Sequence, residues 1–338
     1  MTESLESSSD LDRALARLSQ LIDWERSDRR ADMGRNLGPV RDLLQRLGDP
    51  QRSFRAVHVA GTKGKSTTAA LISAGLRQGG FRTGSYSSPH VERVNERVRI
   101  DGAEIESDLL ARSIETALDA REELPSEAPA RRSTYFDVLT AAAFVALAEA
   151  EVEWAVIECG LGGRLDSTNA VRGDVCVITT IDLEHTEVLG ETRALIAGEK
   201  AGILKSPKSS LVCGVPRESE AGEVIHEAAE RFSCPEVWVK APPGATIEER
   251  NAAVARAALD ELGRRGLRTR RDLRVDGSFL DDATLRAARL PGRQELFSFP
   301  HPEGSALPAV RVALDGGHVA SSIEEWLREL PGADIPML

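Results

Sequence analysis

Apolar positions along the chain follow two periods, one helical and one of short continuous runs. Between Asp10 and Trp24, Leu11, Leu18 and Leu21 fall on one side, so an amphipathic helix is expected there, after a disordered tail over residues 1–10. Leu37 to Leu47 is a second amphipathic helix, stopped by Gly48 and Pro50. A short apolar strand follows at Ala56 to Ala60, then a glycine turn, then a helix from about Lys65 to Gly79. The strand and helix patterns recur: Thr140 to Ala150 reads as helix, and Trp154 to Cys159, Asp174 to Thr180 and Leu211 to Val215 read as strands. Apolar strands alternating with helices predict an α/β fold with a mostly parallel sheet covered on both faces. Asn251 to Leu262 is expected to be helical, and Pro291-Gly292-Arg293 reads as a linker. Beyond it come a short strand, Ala309 to Leu314, and a helix, Ser321 to Leu330. This divides the chain into a large domain, 1–290, and a smaller Rossmann-like piece, 291–338.

The turn after the first strand carries the first chemical signal. It reads Gly61-Thr62-Lys63-Gly64-Lys65-Ser66-Thr67. A glycine turn between a strand and a helix aims several backbone N–H groups at one point, and the helix N-terminus adds roughly half a positive charge. Lys65 adds a full charge, and a hydroxyl just after it can meet magnesium. The turn is therefore expected to hold phosphates. Its match to the usual phosphate-loop pattern is incomplete, because Val59 stands where the first glycine would be.

Composition narrows the partners. The net charge of −11 argues against nucleic acid or an anionic membrane as partner, so an anion must be held by a local site. None of Cys159, Cys176, Cys213 and Cys234 forms a C-x-x-C pair, and buried free thiols in a reducing cytoplasm are expected. The N-terminus is acidic and polar, which does not read as a signal peptide. No run approaches the roughly 20 apolar residues of a membrane helix. A cytoplasmic monomer is expected.

Five stretches in series resemble one family. A-G-T-x-G-K with a shifted first glycine resembles the phosphate loop of the Mur ligase superfamily. Within it, SSPHVERVNERVRIDG from Ser87, TYFDVLTAAAF from Thr134, VIECGLGGRLDSTN from Val156 and DLEHTEVLGETRALIAGEKAGILK from Asp182 resemble motifs of the dihydrofolate synthase/folylpolyglutamate synthase family. The resemblance implies an ATP- and Mg2+-dependent amide ligase. A pteroate or folate carboxylate takes the γ-phosphate of ATP, and the acyl phosphate is attacked by the amine of L-glutamate.

It also implies residue roles. Lys65, Glu158, His185 and Lys200 would be catalytic, and Ser88, Glu158, His185 and Lys200 would serve metal ions, Lys200 as a carbamate. Carbamoylation needs a lysine whose neutral form is favoured. A carboxylate such as Glu158 at the C-terminal end of a parallel strand, before a glycine turn, suits a metal on independent grounds. ATP would be held by Gly61, Thr62, Lys63, Gly64, Lys65, Ser66, Thr67, Asn251, Arg293 and Asp315. The acceptor would be held by Ser88, Pro89, His90, Arg93, Asn95, Glu96, Arg97 and His318.

The chain departs from the family pattern in three places. Lys63 and Ser66 replace the commoner Asn and Gly of the phosphate loop, and Ser66 is bulky for a close-approach turn. The segment between Val215 and Asn251 is short, where additional strands are expected. The second domain reads as truncated, with D-G-G-H-V from Asp315 in place of D-G-A-H-N. That departure motivates an alternative: a degenerate ATP-binding paralogue that ligates nothing. A ligase acting on a cell-wall precursor is a third reading, disfavoured by the S-P-H…N-E-R loop.

Overall fold

The structure is a computed structural model that describes residues 3–23, 36–293, 295–299, 310–315 and 326–327. In chain order its elements are α1 (Glu3–Leu18), α2 (Gly38–Arg46), β1 (Arg55–Ala60), α3 (Lys65–Gln78), β2 (Thr83–Tyr86), β3 (Val98–Ile100), β4 (Ala103–Glu104), α4 (Ser107–Glu122) and α5 (Tyr135–Glu149). They continue with β5 (Trp154–Glu158), β6 (Gly173–Ile178), α6 (Thr186–Leu189), α7 (Arg193–Ala201), β7 (Ser210–Cys213), α8 (Glu220–Arg231), β8 (Glu236–Trp238), α9 (Ile247–Arg264), α10 (Asp282–Ala287), β9 (Glu295–Phe299) and β10 (Val310–Leu314).

Eight strands form one sheet in the order β4-β3-β2-β5-β1-β6-β7-β8. From β2 to β8 all neighbours are parallel, while β3 and β4 add an antiparallel edge. The mostly parallel sheet read from the apolar runs is therefore present. Central β1 is buried from its second residue onward, because helices cover both faces. Alternate side chains serve separate cores. Val57 and Val59 of β1, Trp154 and Val156 of β5, and Val175 and Val177 of β6 pack with α3 and α9. On the opposite face, Ala155 and Ile157 join α1, α2, α4 and α5, and Ile178, Leu211 and Cys213 join α7 and α8. All four cysteines are buried and free. Among the described residues, no helix is long and apolar enough to cross a membrane.

Several boundaries differ from the sequence expectation. Helix α1 reaches back to Glu3, into the stretch expected to be a tail, and stops at Leu18 rather than Trp24. Extending a formed helix adds one hydrogen bond per residue fixed, so a helix nucleated by its apolar stripe runs past it. Helices α5 and α9 each begin a turn or more before the expected start. Reciprocal caps fix both beginnings: Thr134 with Asp137, and Thr246 with Glu249. Between Val215 and Asn251 the chain supplies α8 and one more parallel strand, β8. Strand β10 falls where expected, but it joins no parallel unit. It pairs antiparallel with β9, Phe297 opposite Val312, in a separate two-stranded sheet. The helix expected at Ser321 to Leu330 lies almost wholly outside the described residues, as does His318.

Candidate active site

The C-terminal ends of β1, β5 and β6 lie side by side, Val59 level with Glu158 and with Val177. The loops leaving these three strands build one wall of a cavity of about 350 Å³. The phosphate loop lies between β1 and α3 and is strapped to the exit of β6. Thr62 N–H donates to the Thr180 carbonyl over 2.8 Å, Lys63 N–H donates to Thr180 Oγ1 over 2.9 Å, and Thr179 Oγ1 donates to the Lys63 carbonyl over 2.5 Å. Two glycines are required by shape. Gly61 has φ +150° and Gly64 has φ +77°. A Cβ at Gly61 would come within 1.9 Å of Thr179 Oγ1, and one at Gly64 within 2.2 Å of Asn251 Oδ1. Asn251, from α9, is thereby packed over the loop. Lys65 Nζ reaches back to the Thr62 carbonyl at 3.1 Å, across the mouth of the loop.

Glu158 ends β5 and is almost completely buried, 1% exposed. Ser66 Oγ donates to its Oε1 at 2.9 Å, while Oε2 has no hydrogen-bond partner. Burial pushes the Glu158 carboxyl up to about 7, against the pull of Lys65, Ser66, Arg293 and the Ser88 backbone N–H. An orphaned, buried carboxylate oxygen beside a phosphate loop fits a hard divalent cation, and Ser88 lines the same cavity. Among the described residues, no three His, Cys, Asp or Glu side chains gather closely enough to hold a metal unaided. Substrate phosphate oxygens and water would complete the shell, as magnesium sites commonly require.

The glycine loop after Glu158 is braced from beneath. Asp166 accepts the Leu161 and Thr168 N–H groups, at 2.8 and 3.0 Å. Asn169 Nδ2 donates to the Arg164 and Gly202 carbonyls, fastening the loop to the end of α7. The Asp and Asn of R-L-D-S-T-N thus shape the turn that follows Glu158.

His185 adopts φ +49° at the start of α6, with Nε2 3.6 Å from Glu184 Oε1. Glu184 Oε2 lies 3.9 Å from Lys200 Nζ, so one carboxylate lies between the histidine and the lysine. Lys200 is 2% exposed. Its Nζ donates to the Gly61 carbonyl at 2.7 Å. Burial, helped by the nearby Lys65 charge, pulls the Lys200 amine down to about 7. Glu199, its neighbour in sequence, pairs instead with Arg164.

Gly61 and Lys200, hydrogen-bonded to each other, are not part of the cavity lining, and the other sequence-read residues among those described fall into two groups. Thr62, Lys63, Gly64, Lys65, Ser66, Thr67, Ser88, Pro89, Glu158, His185, Asn251, Arg293 and Asp315 all line the cavity. His90, Arg93, Asn95, Glu96 and Arg97 do not line it; they brace the loop that presents Ser88 and Pro89. Glu96 accepts the N–H groups of Val91, Glu92 and Arg93. Arg97 Nε donates to His90 Nδ1, and Asn95 Nδ2 donates to the Ile105 carbonyl. Sequence reasoning passed over Thr179, Thr180, Asp182 and Glu184, which line the same wall. Their signal was position: they follow directly on a parallel strand, at the edge where ligands collect.

A phosphate loop, a buried carboxylate and a buried lysine at the carboxyl edge of one mostly parallel sheet define the site of an α/β protein suited to a phosphorylated ligand. The Mur ligase middle domain family matches residues 59–256. The dihydrofolate synthase/folylpolyglutamate synthase of Bacillus subtilis is 38% identical over 208 residues, 59% of this chain and 46% of that protein. The solved Mycobacterium tuberculosis folylpolyglutamate synthase complexed with ADP superposes with a TM-score of 0.75 at 27% identity, over 95% of this chain and 75% of that one. An FPGS-AMPPCP-folate complex superposes with a TM-score of 0.77 at 25% identity, over 94% of this chain and 79% of that one. The chain belongs to the Mur ligase family, in its dihydrofolate synthase/folylpolyglutamate synthase branch. It spans about half the length of such relatives, 46% for the Bacillus subtilis protein.

Proposed function

We propose that the protein is an ATP-dependent amide ligase that adds L-glutamate to dihydropteroate, a folate, or both. The observation that carries this reading is the convergence of Lys65, Ser88, Glu158, His185, Arg293 and Asp315 on one cavity. Phosphoryl transfer is mostly positioning and charge neutralisation, and this wall supplies both. The loop N–H groups and Lys65 would cradle the β- and γ-phosphates, with Arg293 on the phosphates, Asp315 on ribose and Asn251 on adenine. Magnesium, when bound, would neutralise phosphate oxygens. Ser88 and Glu158 would hold one ion, and His185 with a carbamoylated Lys200 would hold a second.

The acceptor carboxylate oxygen attacks the γ-phosphorus, and ADP leaves. The glutamate amine then attacks the acyl carbon, releasing phosphate and a proton. The Ser88–Arg97 loop and His318 are assigned to the acceptor, with Ser88 and Pro89 at the cavity and the rest setting the loop's shape. Residues 1–290 form the ATP- and folate-binding domain, and residues 291–338 belong to a second domain. The free, buried cysteines suit a reducing cytoplasm, where the protein would act as a monomer.

The test is phosphate release and amide product measured together, with Mg-ATP, L-glutamate and bicarbonate, comparing dihydropteroate with tetrahydrofolate. Product from either acceptor is expected. Nucleotide binding without product from both would overturn the reading in favour of a non-ligating ATP-binding paralogue.

A further inference from the structure

Ser66 stands in the first turn of α3, one residue beyond Lys65, with its hydroxyl hydrogen-bonded to Glu158. We propose that Ser66 is a positioning residue that makes Glu158 a one-oxygen ligand and thereby biases the site toward magnesium over calcium. The inference rests on the Mg-ATP reading above and goes beyond it, since the residue acts through Glu158 rather than on the nucleotide.

The Glu158 carboxylate has two oxygens with different surroundings: Oε1 accepts from Ser66 at 2.9 Å, and Oε2 is buried and unpartnered. A hydrogen bond to a buried carboxylate is charge-assisted and holds the plane of the group. With Oε1 engaged, the carboxylate presents one oxygen to a cation. Magnesium is small and strictly octahedral, keeps several waters, and is commonly bound through one or two carboxylates together with phosphates. Calcium tolerates bidentate carboxylates and irregular shells of six to eight oxygens. A carboxylate locked on one oxygen serves the first ion and handicaps the second. The hydroxyl can act this way because it belongs to the same turn as Lys65, so the phosphate loop and the metal carboxylate are set against each other by one bond.

The experiment is calorimetric titration of the full chain with Mg2+ and, separately, Ca2+, in the presence of AMPPCP. Ser66→Ala and Ser66→Gly remove the hydroxyl, and Ser66→Thr restores it; circular dichroism checks the fold of each. The expected result is a five- to tenfold loss of Mg2+ affinity in Ser66→Ala and Ser66→Gly. Ca2+ affinity is expected to hold or rise, so that the Mg2+/Ca2+ ratio falls, and Ser66→Thr recovers it. If the native protein binds Mg2+ with AMPPCP and neither hydroxyl-free variant changes that ratio, the inference is overturned while the ligase reading stands. If the native protein binds no Mg2+ with AMPPCP, the Mg-ATP reading itself fails and takes the inference with it. If both hydroxyl-free variants unfold, retention of the native ratio by Ser66→Thr supports the inference and its loss overturns it.

Discussion

The Lys200 amine donates to the carbonyl of Gly61 across 2.7 Å, joining the last turn of α7 to the first residue of the phosphate loop. A carbamate here would form from the neutral amine, and its one remaining N–H could keep the Gly61 carbonyl as acceptor. The proposed modification of Lys200 would thus take place on a nitrogen already tied to the phosphate loop.

The first prediction is a pH-dependent carbamate. Lys200 is held down to about 7, so its neutral form grows as pH rises from 6 to 8, and carbamoylation should grow with it. A protein-bound carbamate signal in carbon NMR with labelled bicarbonate should strengthen over that range and vanish in Lys200→Met. A signal unchanged by that substitution would place the modification elsewhere.

The lysine of the loop gives a second prediction. Lys65→Met removes the charge from the helix N-terminal cradle while leaving Gly61 and Gly64 in place. The turnover number should fall about a hundredfold or more, the usual cost of losing one preorganised charge donor. Single-turnover phosphate release at saturating ATP measures it.

Glu158 gives a prediction of opposite sign for stability and activity. Its folded-state carboxyl titrates near 7, against an ordinary 4.5, so the native state binds the extra proton between those values. Stability contributed by this group falls as pH rises through that window, and the penalty is complete above 7. Glu158→Gln should therefore stabilise metal-free protein at pH 8, by on the order of 3 kcal/mol from the size of the shift, while ligation is lost. Thermal unfolding at pH 8 and at pH 5 should show the gain at the first and little of it at the second.

Gly64 offers a steric test. Gly64→Ala places a Cβ against Asn251 Oδ1 in a left-handed backbone, and should cost about 1–3 kcal/mol and weaken nucleotide binding at least tenfold. Asn251→Ala added to it should restore part of the stability, because the contact goes but the backbone strain stays. Strict additivity of the two changes in denaturant unfolding would show that the side chains do not meet in solution.

Much of this was legible in the sequence because local pattern and chemistry agreed. The β1 strand, the glycine turn and α3 fall within a residue of their expected bounds, since burial, glycine placement and helical period all mark the same places. The missed starts of α5 and α9 were encoded too, in Thr134-x-x-Asp137 and Thr246-x-x-Glu249, where short-range capping decides rather than the apolar stripe. What the sequence could not show was contact across long intervals. That Lys200 would turn inward to Gly61, 139 residues away, rather than outward to Glu199, depends on how α7 packs on the sheet. Glu184 is found only once His185 and Lys200 are known to lie on either side of it. Strand β9 was missed because its pairing with β10 is settled by tertiary contact, not by an apolar run.

The flanks of the large sheet have a consequence of another kind. At one side it ends in β4, two residues long, with Glu104 bridged to Arg93 and Arg99. At the other it ends in β8, three residues long, whose Trp238 ring is capped by the Arg217 guanidinium at 5.5 Å. Short, charge-guarded edges offer little unpaired backbone for a neighbouring chain to zip onto. Both outer edges of the large sheet are thus poor templates for fibrillar self-association.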